Sequence, residues 1–216
     1  MRDSATLSAI LLLSSVLALT SCSSNLCDCG CQKTPLAVKE PPAQRLVVSI
    51  PDQKMQTYEG EKMKRRYPVS TSRFGVGDRL RSNLTPLGRL KVVDVIGEGL
   101  PKGMRLYSRQ PTGEILKPNT TVGDAIVTRI VRLRGTEPCN ARAFQRLIYI
   151  HGTTDERGLK KPVSWGCVRM GSSDVIRLCR WVKPGAEVEI VEEPLPPTKT
   201  AAIIRRLFHW GPVTAQ

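Results

Sequence analysis

From Arg45 onward, apolar residues in this chain recur at every second position. Leu46, Val48 and Ile50 mark one side of a segment whose period is two. That is the repeat of an extended strand, because successive side chains of a strand point to opposite faces. Residues 54–59 and 62–69 flank Glu59-Gly60-Glu61, which reads as a hairpin turn. Further strands are expected near 88–95, 104–108, 125–133, 146–151 and 186–191. The 17 glycines and 16 prolines of the 216 residues break the chain into such short pieces rather than long helices. One helix is expected after Gly171. Ser172 or Ser173 is its cap, Asp174 lies in its first turn and Pro184-Gly185 is its stop. The expected fold is mainly β: one domain over 45–193 with a single main helix, long enough to bury a core.

The ends read differently. Residues Leu7 to Leu19 form an apolar run that is shorter than the ~20 residues a membrane-crossing helix needs. With Arg2 ahead of it, the run matches the apolar region of an export signal. It ends in Leu19-Thr20-Ser21-Cys22, which resembles a bacterial lipoprotein lipobox, where small residues precede a cysteine that is lipidated. Residues 1–21 are therefore expected to be a signal peptide, and Cys22 to hold a lipid anchor in the membrane. Ser23 rather than Asp follows Cys22. By the same resemblance this implies the bacterial cell envelope and, in a double-membraned cell, the periplasmic face of the outer membrane. Residues 22–44 read as a flexible tether without hydrophobic period. Its Cys27-Asp28-Cys29-Gly30-Cys31 lacks the CxxC spacing of zinc sites, so neither a metal nor a cofactor is expected. Cys139 and Cys179 are a candidate disulfide pair in an oxidising compartment. Residues 194–216 read as a basic, proline-containing tail, either partly ordered or a short amphipathic helix.

Charge narrows the partner. Lys and Arg number 33 against 19 Asp and Glu, a net +14. Residues 45–193 hold 27 of the basic and 16 of the acidic residues, so the positive field belongs to the folded part. A basic surface selects anions without saying which. Behind an export signal the abundant polyanions are cell-wall polymers and lipid head groups, so no nucleic-acid partner is expected.

Two histidines are present, His151 and His209. His209 sits in the tail and reads as a surface or packing residue. His151 ends the apolar run Leu147-Ile148-Tyr149-Ile150, and Cys167 follows sixteen positions later, just before the expected helix. A cysteine thiol titrates near ~8.5, and both an imidazole and a helix N-terminus lower that value by favouring the thiolate. Gly166 allows close backbone approach, and the Gly166 and Cys167 amides are candidate oxyanion donors. The bland alternative is a structural cysteine beside a strand-end histidine.

His151-Gly152-Thr153, followed by Ser164-Trp165-Gly166-Cys167-Val168-Arg169-Met170, resembles the signature of the YkuD-type L,D-transpeptidases. Thr85-Pro86-Leu87-Gly88, Thr128-Arg129-Ile130 and Gly135-Thr136-Glu137 extend the likeness over most of 45–192. The resemblance implies a β-sandwich of mixed sheets with the main helix after the cysteine. It also implies a reaction on peptidoglycan stem peptides, without a cofactor. Cys167 would be the nucleophile, His151 the general base and acid, and the Gly152 carbonyl the group that orients His151. Ser164, Trp165, Gly166 and Arg169 would form the substrate and oxyanion site. The expected product is a 3→3 cross-link. Water as acceptor gives an L,D-carboxypeptidase instead, and a catalytically weak peptidoglycan-binding lipoprotein is a further alternative. One departure stands out: the family commonly has histidine where this chain has Trp165. An indole there can stack on a sugar or cover the cleft.

Overall fold

A computed structural model describes residues 43–120, 123 and 125–197. The expected signal peptide, the Cys22 lipidation site, residues 22–42 and the tail from 198 lie outside the described residues.

The first two strands, β1 (Gln44–Ser49) and β2 (Lys54–Glu59), pair antiparallel, and β2 continues through a two-residue turn into β3 (Lys62–Pro68). Then come β4 (Gly88–Ile96), β5 (Met104–Tyr107), β6 (Gln110–Ile115), β7 (Ile126–Gly135), β8 (Tyr149–Thr153) and β9 (Val168–Met170). A single α-helix, α1 (Ser172–Cys179), precedes β10 (Glu187–Val191). Hydrogen bonding runs continuously through ten strands in the order β3-β2-β1-β10-β4-β7-β5-β6, with β8 and β9 branching from β7. The β1–β10 and β8–β9 pairs are parallel and the others antiparallel, so the sheet is mixed, as expected. The sheet also curls back on itself. Just after β3, Ser70 exchanges backbone bonds of 3.0 and 2.8 Å with Arg169 in β9, bringing the far ends together.

The core fills the inside of that curl. Leu46, Val48, Leu90, Leu133, Ile150, Val168 and Met170 are fully buried against Val175 and Leu178 of α1. The period-two pattern of β1 is consistent with this, but Val47 is buried too. It packs on the opposite face with Tyr58 and Leu195. Packing therefore continues beyond residue 193, and the Pro196 carbonyl accepts bonds from Gln56 Nε2 (3.2 Å) and Arg66 Nη2 (2.6 Å).

Several expectations need correction. The helix stops at Cys179, and Val182 reaches the core from the turns that follow. Neither serine caps it. Gly171 occupies the cap position, and the Glu156 carboxylate accepts the Ser172 amide at 2.9 Å. A carboxylate at a helix start answers both the unmet donors and the macrodipole. The strand expected from 146 begins at Tyr149, because Ala141–Leu147 turns before it. Strands β6 and β9 were not expected. Cys179 is a free thiol whereas Cys139 is disulfide-bonded, so the two do not pair with each other.

Candidate active site

The parallel pairing of β8 with β9 sets Ile150 beside Val168 and His151 beside Arg169. Alternation along both strands then sorts the side chains. Ile150, Val168 and Met170 enter the core, which leaves Tyr149, His151, Cys167 and Arg169 for the other face. Cys167 packs there near Leu106, Ile130 and Tyr149. It is a thiol rather than half of a disulfide. Its sulfur accepts the Tyr149 amide at 3.4 Å and donates to the Leu147 carbonyl at the same distance. The amide contact favours a thiolate and the carbonyl contact favours the thiol. Leu147 turns its carbonyl there from a left-handed backbone, φ +59°.

His151 is 2% exposed, and its Nδ1 lies 2.9 Å from the Gly152 carbonyl. A carbonyl only accepts, so Nδ1 holds the proton and Nε2 is the basic nitrogen. Gly152 is needed for its smallness. A Cβ there would lie 2.4 Å from the Val127 carbonyl and 3.3 Å from Thr128 Cβ. That crowding comes from a bulge in β7, where Val127 pairs with Gly152 and Ile130 with His151, leaving Thr128 and Arg129 unmatched. Thr128 is fully buried at φ +73°, an unfavourable region for a β-branched residue. Its hydroxyl compensates by donating to Ser172 Oγ and accepting the Gly103 amide, both at 3.0 Å. Burial lowers the pKa of Arg129, whose Nη1 donates to the Thr128 carbonyl at 2.6 Å and the Leu100 carbonyl at 2.9 Å.

The loop before Cys167 is braced from both ends. Ser164, fully buried, donates its hydroxyl to the Cys167 carbonyl at 2.6 Å and accepts the Gly166 amide at 3.2 Å. The Gly166 amide expected at an oxyanion site is thus directed inward to Ser164. Gly166 has φ +115°, and its carbonyl accepts the Thr85 hydroxyl at 2.9 Å. Beneath it, Arg146 and Asp78 form an ion pair at 2.8 Å, each side chain 5% exposed. Arg146 also donates to the carbonyls of Gly77 (3.0 Å) and Leu84 (2.5 Å), tying the 77–84 loop to the turn that presents Leu147. Breaking one partner of such a buried pair strands the other charge.

Arg169 is 3% exposed, so it is a buried cation and not part of a solvated surface. It sits 3.7 Å from Asp155 Oδ2 and lines a cleft of about 720 Å³ together with Arg73, Asn119, Thr120, Asp155, Arg157 and Trp165. The cleft meets the cysteine loop through Trp165 and Arg169. Trp165 is half-exposed rather than tucked over the thiol. Sequence reasoning missed Asp155, Arg157, Asn119 and the Arg73-Phe74 pair, whose only link to the signature is three-dimensional. Among the described residues no cluster of His, Cys, Asp or Glu has the makings of a metal site.

A model of the YkuD family, the L,D-transpeptidase catalytic domain, matches residues 43–190. The chain belongs to this family. Direct comparison with curated protein sequences gives no match. Among solved structures, L,D-transpeptidase 3 from Mycobacterium tuberculosis is 16% identical, with TM-score 0.47, over 68% of this chain and 61% of that one. An L,D-transpeptidase from Mycobacterium smegmatis is 14% identical, with TM-score 0.44, over 69% of this chain and 58% of that one. The enzyme from Xylanimonas cellulosilytica is 16% identical, with TM-score 0.46, over 76% of this chain and 66% of that one. The chain thus spans about three fifths of the length of the first two. The family assignment rests on the sequence model, not on these superpositions.

Proposed function

We propose that the YkuD domain of this chain is a peptidoglycan L,D-transpeptidase working through a thioester at Cys167. One observation supports the reading most directly. Parallel β8 and β9 bring the cysteine and a histidine with a fixed tautomer to one face, beside a cationic cleft. In this reading His151 Nε2 takes the thiol proton as sulfur attacks the carbonyl that joins the third stem residue to the terminal D-alanine. The C–N bond then breaks, His151 returns the proton to the leaving amine, and D-alanine departs. The acyl group stays on sulfur. A side-chain amine of a second stem attacks the thioester, gives its proton to His151 and expels the thiolate, leaving a 3→3 cross-link. Water in place of the amine yields a trimmed tripeptide.

Gly152 acts through its carbonyl, and Ser164 by holding the cysteine turn rather than by attacking. The buried Arg169 at the cleft wall suits a stem carboxylate. Residues 1–22 are read as delivering the chain to the envelope and anchoring it through a lipid on Cys22. Peptide mapping after incubating the purified full chain with a tetrapeptide stem tests the chemistry. An acyl mass on Cys167, absent after His151→Ala, supports it, whereas acylation elsewhere or none at all counts against it. Loss of palmitate labelling in Cys22→Ser tests the anchor.

A further inference from the structure

Trp165 lines the cleft and Phe74 packs on it from outside the lining, and neither ring takes a step in the acyl transfer. Phe74 and Trp165 are 47% and 51% exposed, on a chain with only 5% aromatic residues. Their rings touch, with centroids 5.3 Å apart and planes inclined at 57°. The Arg73 guanidinium lies 5.2 Å from the centre of the Trp165 ring and 6.0 Å from that of Phe74.

This corner is built rather than loose. Arg73 donates its amide to the Ser164 carbonyl at 3.1 Å and Nη2 to the Val163 carbonyl at 3.0 Å. Phe74 donates its amide to Ser72 Oγ at 2.9 Å, and that hydroxyl in turn donates to the Asn83 carbonyl at 2.6 Å. Two large rings are thus fixed in water, where burying them against each other more fully would be favourable. What sets this pair apart from the other exposed apolar side chains is that its rings touch and one of them lines the cleft.

Its chemistry narrows the occupant. Rings inclined at 57° form a corner and not a slot, which suits a puckered ring better than a flat base. The cleft also offers hydrogen-bonding groups of both senses: acceptors on Asn119 and Asp155, donors on Arg73, Arg157 and Arg169. Aromatic faces take the C–H side of a pyranose while polar neighbours take its hydroxyls. The position also fits. A stem's third residue lies about 10 Å from the sugar end of an extended peptide, and Trp165, two residues from Cys167, lies within that reach.

We infer that Phe74, Trp165 and Arg73 form a platform for a hexopyranose of the glycan strand, so that the site selects stems still attached to sugar over free peptides. The inference rests on the proposed activity and names its substrate class. For the full chain, kcat/KM should be about tenfold higher for a disaccharide-tetrapeptide than for the same tetrapeptide without sugar, the effect of one good ring contact. Phe74→Ala should reduce that preference to about twofold or less through KM, and Phe74→Tyr should restore it. Equal turnover of both substrates by the unaltered chain, or a preference that survives Phe74→Ala, overturns the inference and leaves the transpeptidase reading intact. If neither substrate turns over, saturation-transfer NMR with the stem-free disaccharide decides. Saturation that disappears in Phe74→Ala supports the platform. No saturation, or saturation of adenosine monophosphate alone, overturns it.

Discussion

Cys167 and Cys179 lie twelve residues apart and are both thiols, yet the fold gives them opposite surroundings. Cys167 precedes β9 on the cleft face, where an amide and a carbonyl address its sulfur. Cys179 ends α1 against the core, where burial pushes its thiol up to about 12 despite the nearby Arg129. A helix N-terminus follows one cysteine and the other closes the same helix. The position, and not the residue type, sets the surroundings of each thiol.

The largest expected difference is catalytic. Cys167→Ala should cut D-alanine release from tetrapeptide stems by at least ~10³-fold, while Cys179→Ala stays within about twofold. Comparable losses in both would erase the contrast. Alkylation separates them next. With iodoacetamide at pH 8, mass mapping should show Cys167 modified at least ~100-fold faster than Cys179, in line with the raised thiol of Cys179. The raised thiol of Cys179 also has a stability consequence. Its contribution is fully present below the unfolded value of ~8.5 and is lost as pH climbs towards about 12. Melting curves from pH 8 to 11 should therefore fall more steeply for the unaltered chain than for Cys179→Ala.

Smaller effects probe what holds the Cys167 face in place. Gly152→Ala drives a Cβ into the Val127 carbonyl, which displaces His151 and should lower kcat about tenfold or more while destabilising the fold by ~2 kcal/mol. Thr128→Val keeps the shape but deprives the Gly103 amide and Ser172 hydroxyl of their partner, for about 1–3 kcal/mol in chemical denaturation. The weakest effect belongs to a partly exposed ion pair between β4 and β7. Arg132 holds Asp94 below the usual carboxylate range through paired hydrogen bonds, so this pair's contribution is present above ~3.9 and fades as pH falls below it. Asp94→Asn should flatten the acid side of the melting profile by a small margin, because the pair is partly exposed.

Much of this arrangement was legible in the chain. The period-two run located β1, and the strands expected near 88–95, 125–133 and 186–191 correspond to β4, β7 and β10. Strand β6 was not legible, since all six of its residues are exposed and impose no pattern. Strand β9 has only three residues, which lie within the catalytic signature. The helix was read too long because Pro184-Gly185 reads as its stop, whereas turns begin after Cys179 and bring Val182 to the core. The signature announced Cys167 and His151 through their neighbours. Nothing local announced Arg73 or Phe74, about 90 residues before the tryptophan they touch. Nor does a threonine within a β-branched run suggest a left-handed bulge. The bulge shows only in the pairing of β7 with β8, where Thr128 and Arg129 have no partner in the register.

In an L,D-transpeptidase working as proposed, Cys167 is the thiol that accepts the acyl group. Full-length protein incubated with disaccharide-tetrapeptide, then analysed by muropeptide profiling with and without Cys167→Ala, addresses this most directly. We predict D-alanine release and 3→3 linked dimers or trimmed tripeptides from the unaltered chain, and unchanged tetrapeptide from the variant. Unchanged tetrapeptide in both, or conversion that survives Cys167→Ala, would contradict it.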